Sequence, residues 1–354
     1  MAYTSIDKGA ALANTSSQWT GNDSTQTISG IGFQPDLTWI KAMTTTLNWG
    51  MFDPVCGATK WKASNITDAE TTRSDSLTSW NADGFVLGSD GYFNDSNYDF
   101  RSWNFKAGTT SGLSGGTITP DSYSFNATSG VSILKWAGTG SNGTIAHGLG
   151  VRPDLVIVKA LDDAAKWAVW HRGMWGYSYD GGEEDRTQAW NDNSASGNNA
   201  TYFNGSDNMT SSVISLGDSN ITNNTPYNYI AYCFASIKGF SKHSWYIGSG
   251  EATGPFLYCG FKPQMIMVKR RNGAGSWAWW DTKRDPYNYA DNNVYFDENY
   301  ADNSGGGTRE INIFSNGFQI MTTHNDKNGD GDDYIWSAWG QPIIGTNGVL
   351  TTAF

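Results

Sequence analysis

Gly32–Lys41 reads GFQPDLTWIK, and the pattern returns as GVRPDLVIVK at Gly150–Lys159 and as GFKPQMIMVK at Gly260–Lys269. Each copy leads into a tryptophan-bearing segment: NWGMFD from Asn48, KWAVWH from Lys166, SWAWWD from Ser276. The interval from proline to tryptophan is fourteen residues every time (Pro35 to Trp49, Pro153 to Trp167, Pro263 to Trp277). A tryptophan precedes each copy, at Trp19, Trp136 and Trp245. NADGFVLG (Asn81 to Gly88), SVISLG (Ser212 to Gly217) and SNGFQIM (Ser315 to Met321) follow. Each copy closes on an aromatic strand: FRSWNF (Phe100–Phe105), YIAYCF (Tyr229–Phe234), YIWSAW (Tyr334–Trp339). The steps between prolines, 153 − 35 = 118 and 263 − 153 = 110 residues, are a small domain each, not a solenoid repeat.

The apolar runs are short, rich in Trp, Tyr, Phe, Ile and Val, and broken by Gly/Asn/Asp/Ser clusters, the mark of strands and turns. The expected fold is all-β: three tandem β-sandwich (jelly-roll-like) repeats over residues 1–108, 123–238 and 239–354. The Gly/Ser/Thr-rich stretch 109–122 reads as a linker. The second junction, Ser236 to Lys242, is short, so repeats two and three are expected to pack together. Asn65 to Ser74 is the best short-helix candidate, because Thr67 can cap it with Glu70 three residues on. A simple hairpin after the first motif would put Trp39 opposite Gly50, with Ile157 opposite Ala168 and Met267 opposite Ala278. Large then faces small.

The 354 residues hold 42 Gly and 17 Trp, with 23 Lys+Arg against 34 Asp+Glu, a net charge of −11. The aromatic content argues against disorder. The acidic balance argues against nucleic-acid partners. No apolar run is long enough for a membrane helix, so no membrane insertion is expected. The N-terminus lacks a basic segment followed by an apolar core, so no secretory signal is expected. Cys56, Cys233 and Cys259 form no metal motif and read as free buried thiols.

Candidate chemistry is sparse. Lys41, Lys159 and Lys269 align, and Asp53, His171 and Asp281 lie twelve residues beyond them. Residues repeated three times encode a fold more readily than one active site. No hydrolase elbow, phosphate loop or zinc-protease motif is present, and no catalytic residue or required cofactor is expected. Asp326, Asn328, Asp330 and Asp332 lie in DKNGDGDD, which matches the first half of a Ca²⁺ loop, D-x-[DN]-x-[DN]-G. Trp175, Tyr177, Tyr179, Tyr287, Tyr289 and Tyr300 lie in Gly/Asn/Asp-rich loops, where exposed rings could stack on sugars.

The opening MAYTSIDK, the GFQPDLTWIK start, the Gly57-Ala58-Thr59-Lys60 block with Asn65, Ala69 and Glu70, and the closing Lys106-Ala107-Gly108 resemble a module of marine bacteriophage structural proteins. The resemblance covers residues 1–108 and weakens in the later copies, which lack the Gly-Ala-Thr-Lys block. It implies a virion protein, tail-associated or on the head surface, with other virion proteins as partners and no known catalytic residues. Such proteins commonly form homo-oligomers. The alternative expectation is a lectin-like adhesin binding host surface glycan; a polysaccharide depolymerase ranks last.

Overall fold

The computed structural model describes residues 13–174, 186–205, 208–302 and 311–340. The first part of the chain contributes β1 (Ala13–Thr20), β2 (Gln26–Ile28), β3 (Leu37–Ala42), β4 (Gly50–Phe52), β5 (Lys60–Trp61), β6 (Thr71–Thr72), β7 (Leu77–Asn81), β8 (Gly84–Leu87) and β9 (Asp99–Phe105). The middle contributes β10 (Ser122–Asn126), β11 (Val131–Ala137), β12 (Gly143–Ala146), β13 (Leu155–Ala160), β14 (Ala168–His171), β15 (Arg186–Ala189), β16 (Gly197–Asn198), β17 (Val213–Leu216) and β18 (Asn228–Phe234). The last part contributes β19 (Ser241–Ile247), β20 (Phe256–Tyr258), β21 (Pro263–Arg270), β22 (Ala278–Asp281), β23 (Val294–Tyr295), β24 (Ile311–Phe314), β25 (Gly317–Ile320) and β26 (Asp333–Gly340). The protein is all-β. Among the described residues its helices are single turns, and none is long and apolar enough to cross a membrane.

Three large antiparallel sheets share one strand order: β1-β9-β3-β4, then β11-β18-β13-β14 within a seven-stranded sheet, then β19-β26-β21-β22 with β23 at its edge. In each, the strand of the Pro motif lies between the closing aromatic strand and the tryptophan hairpin partner. A small sheet covers one face of each large sheet: β2-β8-β7, β12-β17 and β20-β25-β24. Alternation sorts the side chains. Ile40, Phe52 and Phe100 pack against Ile28, Phe85 and Leu87 of the first small sheet. Val156, Val158 and Trp136 meet Ile145 and Ile214 in the second. Ile266, Val268 and Trp336 meet Leu257 and Phe318 in the third.

The opposite faces are not solvated. Trp39, Trp49 and Trp103, then Ile157, Trp167 and Tyr232, then Met267, Trp277 and Trp279 enter one central cluster. The last residues of the three closing motifs, Phe105, Phe234 and Trp339, meet there in a triangle with ring centroids 5.3, 5.6 and 5.5 Å apart. The three sheets therefore stand around a shared aromatic core. This explains why all six positions of β3 and of β13 are buried.

The hairpin register differs from expectation by one residue. Ile40 pairs with Gly50, Val158 with Ala168 and Val268 with Ala278, while Trp39 pairs with Met51. A one-residue slip exchanges the faces of a strand. The observed register sends Trp49 and Met51 into the central core with Trp39, and keeps Gly50 under the ring of Phe93 in the sandwich. The expected helix at Asn65 to Ser74 is absent: the stretch is turn, coil and the short strand β6. The stretch expected as a linker is pinned. Thr109 bridges Phe125, and Ile118 is buried in the second sandwich.

Candidate functional site

The aligned polar residues lie in the seams between sheets. Each tryptophan after the Pro motif donates its indole N–H to the preceding part of the ring. Trp167 Nε1 reaches Ala63 O at 3.1 Å, Trp277 Nε1 reaches Ala189 O at 2.9 Å, and Trp49 Nε1 closes the circle on Tyr295 O at 2.8 Å. Backbone bonds repeat the cycle: Glu70 N to Leu161 O, Ser196 N to Arg271 O, Asp302 N to Met43 O, each 2.8 Å.

Asp53, His171 and Asp281 obey the same rule. Each contacts the fourth residue of the next unit's closing motif. Asp53 Oδ2 accepts from the Tyr232 hydroxyl at 2.7 Å, His171 Nε2 lies 3.3 Å from Ser337 Oγ, and Asp281 Oδ2 accepts from Trp103 Nε1 at 3.1 Å. Burial raises the Asp281 carboxyl, but the adjoining Arg284 outweighs it and holds the group below the usual carboxylate range. Lys159 Nζ donates to Thr67 O across one seam and Lys269 Nζ to Ser194 O across another. Lys41 bonds its neighbour Ala42 O, with Asp302 as its electrostatic partner. Burial brings Lys41 down to about 7, and Lys159 and Lys269 to about 8. A nucleophile–base pair is not formed by these six residues. They are fastenings.

Two sets of interactions escaped sequence reading. Lys62 is wholly buried, 3.1 Å from Asp53 and 3.1 Å from Glu70. The second set is Asn94, Asn223 and Asn328, each six residues before its closing aromatic motif. Asn94 Nδ2 bonds Ser24 O and Gly88 O, Asn223 Nδ2 bonds Ser141 O, and Asn328 Nδ2 bonds Glu251 O and Thr322 O. These carboxamides lock the turn that feeds the last strand. The constant spacing was the available signal.

That role bears on the expected Ca²⁺ loop. Asn328 Oδ1 accepts from Ser249 N at 2.8 Å, so its side chain is directed inward and engaged. Asp332 pairs with Arg270 at 2.6 Å, Asp330 is exposed, and Asp326 lies beside His324 and Lys327. No cluster of three or more His, Cys, Asp or Glu suited to a metal ion occurs among the described residues.

Of the expected sugar-stacking rings, Trp175, Tyr177 and Tyr179 lie outside the described residues. Tyr287 (83% exposed), Tyr289 and Tyr300 are exposed, as expected of loop aromatics. Tyr287 and Tyr289 flank Asn288, whose carboxamide pairs both ways with the Ile313 backbone at the edge of β24. Tyr300 stands in a cleft of about 460 Å³ with Ser276, Glu298, Asp302 and Asp326. Tyr300 and Asp326, read from the sequence as members of different sites, thus share one acidic cleft. Burial raises the carboxyls of Glu298 and Asp302. Cys233 and Cys259 are buried free thiols and Cys56 is half-buried.

A family model described as a domain of unknown function (DUF7483) matches residues 12–342. The chain belongs to this DUF7483 family. The match begins one residue before β1 and ends two residues after β26, so the family model spans all three large sheets. No curated protein and no solved structure matches the chain.

Proposed function

We propose that this DUF7483 protein is a non-catalytic structural component of a bacteriophage particle, tail-associated or on the head surface, which packs against other virion proteins. The observation that supports this reading is the use of the thrice-repeated polar residues. They fasten one sheet to the next and leave no reactive constellation among the described residues, as a load-carrying block requires. The likeness of residues 1–108 to marine phage structural modules gives the reading its biological setting. Of that motif, Glu70 pairs with Lys62, Lys60 O accepts from Lys62 Nζ, and Gly57 N donates to Asp53 O. Antibody labelling of intact particles by electron microscopy tests it: label is expected on head, tail or fibre, and particles without label refute it.

A second reading, a lectin-like adhesin for host surface glycan, has its own support in the Tyr300 cleft, where an exposed ring stands beside three carboxylates that can accept sugar hydroxyls. Binding on a glycan array that is lost in Tyr300→Ala supports it, and silence across neutral and acidic glycans removes it.

A further inference from the structure

We propose that the seam between the second and third sheets carries a binding site for a carboxylate-bearing sugar, with His243 as its buried hydrogen-bond donor. The site is a pocket of about 980 Å³, within the usual size range of small-ligand sites. Its described lining includes Arg172, Lys238 and Lys242, with Asp154 as the one carboxylate. In a chain of net charge −11, a pocket with three cations against one anion concentrates positive potential where an anion can enter. Asp154 engages Arg172 at 3.2 Å, while the Lys238 side chain stands at the exposed rim. Lys242 donates to Tyr258 O and lies 5.1 Å over the Tyr258 ring, itself more than half exposed.

The donor is set by a buried chain of polar groups. Gly173 N–H donates to His171 Nδ1 at 2.9 Å, so the neutral His171 proton is on Nε2, facing Trp336 O and Ser337 Oγ. The Ser337 hydroxyl is then free to donate to His243 Nδ1 at 2.8 Å, which places the His243 proton on Nε2. His243 is only 5% exposed, lines the pocket, and its Nε2 has no partner in hydrogen-bonding geometry, although the Ala235 carbonyl is near. A buried donor whose nearest acceptor lies outside good hydrogen-bonding geometry is costly, and such groups in native proteins call for an explanation.

The fold does not demand a histidine here. Ile133 occupies the matching place in the second sheet, opposite Tyr232 as His243 is opposite Ser337. A similar change marks the mouth of the pocket. Thr27-Ile28-Ser29 and Thr144-Ile145-Ala146 correspond by register to Phe256-Leu257-Tyr258, so the third unit alone presents aromatic rings at those outward positions. Cations and the His243 N–H hold a carboxylate, and Tyr258 offers a face to the sugar ring.

The test is calorimetric titration of the full chain with trigalacturonate, with the four histidine imidazoles followed by NMR. Saturable binding is expected, with a shift of the His243 Nε2–H signal. Affinity should fall about tenfold in Lys242→Ala, which removes a charge-assisted contact, and in His243→Asn, which retains an acceptor for Ser337 but loses the donor. Maltotriose, the neutral control, should not compete. No heat and no His243 shift in the wild-type protein overturns the proposal, whatever the variants do. Binding lost in Tyr300→Ala but retained in Lys242→Ala also overturns it, because the sugar then occupies the Tyr300 cleft. Particle labelling is independent of both outcomes.

Discussion

Lys62 shows how a single residue can hold a seam. Burial works against its charge, but Asp53 outweighs burial and raises its proton affinity above that of a free lysine. Asp53 also accepts from Tyr232, so its loss leaves a buried hydroxyl without its acceptor and the buried Lys62 cation with Glu70 as its remaining carboxylate partner. Asp53→Ala is expected to cost about 3–5 kcal/mol in urea denaturation. Asp53→Ala with Lys62→Met should recover part of that loss, since the wholly buried cation is gone and the charge left behind, Glu70, keeps some access to water. His171 makes a prediction about pH. Burial, with His243 beside it, lowers its pKa to about 3. Between about 6.5, the unfolded value, and about 3, the unfolded chain binds a proton that the folded chain does not. His171 therefore makes stability fall as pH drops through that window, by about 1.4 kcal/mol per pH unit. Asp297, raised by burial to about 6, acts in the opposite direction, so the informative quantity is a difference between proteins. The slope of unfolding free energy against pH from 4.5 to 6 should be less positive in His171→Gln than in the wild-type protein, by the equivalent of about one proton. An unchanged slope would contradict a neutral buried His171.

At the scale of strands and turns, the β3–β4 hairpin tests the register. A Cβ added at Gly50 would lie 2.4 Å from the Phe93 ring, whereas the second and third hairpins carry Ala168 and Ala278 at the matching place. Gly50→Ala should lower stability by about 1–3 kcal/mol through overpacking, read as a drop in Tm. A neutral Gly50→Ala would mean that the ring gives way or that the register is wrong. The strands themselves were legible, because Gly/Asn/Asp clusters mark their ends and the proline-to-tryptophan interval is constant. The register was not. Leu37–Ala42 is buried on both faces, so period-two alternation carries no information about which face looks where. The Thr67–Glu70 capping pattern failed for a related reason: Thr67 O and Glu70 N bond the second unit instead of closing a helical turn. DKNGDGDD matched a calcium loop by residue type, but Asn328 belongs to the recurrent asparagine lock. Of the candidate sites, exposure of Tyr287, Tyr289 and Tyr300 was legible from loop composition. The meeting of Tyr300 with Asp326, and of His171 with His243, depends on contacts between distant segments, which local patterns do not encode.

For the whole molecule, the central core decides whether three sandwiches unfold as three domains or as one. Each sandwich has its own small-sheet core, which by itself would permit independent unfolding. Against that, among the described residues the second face of every large sheet packs against the other two, and Trp39 touches both neighbours, Phe234 at 6.3 Å and Trp279 at 5.5 Å between ring centroids. Separating one unit would expose a sheet face lined with tryptophan, a penalty on the order of 25 cal/mol for each Å² of apolar surface. Unfolding is therefore expected to be cooperative across the ring, with far-ultraviolet circular dichroism and tryptophan fluorescence following one urea transition. The sharper form of this prediction uses Trp49→Ala. It opens a cavity beside Trp103 and Phe296 and removes the indole bond to Tyr295 O, at a cost of about 3–5 kcal/mol. In a linked ring that loss lowers the hydrogen-exchange protection of β18 and β26 as well as β3, although Trp49 belongs to neither distant sheet. Protection that falls in β3 while β18 and β26 keep theirs would show three domains that merely touch. Equal losses in all three would make the closed ring, not the single sandwich, the unit that folds.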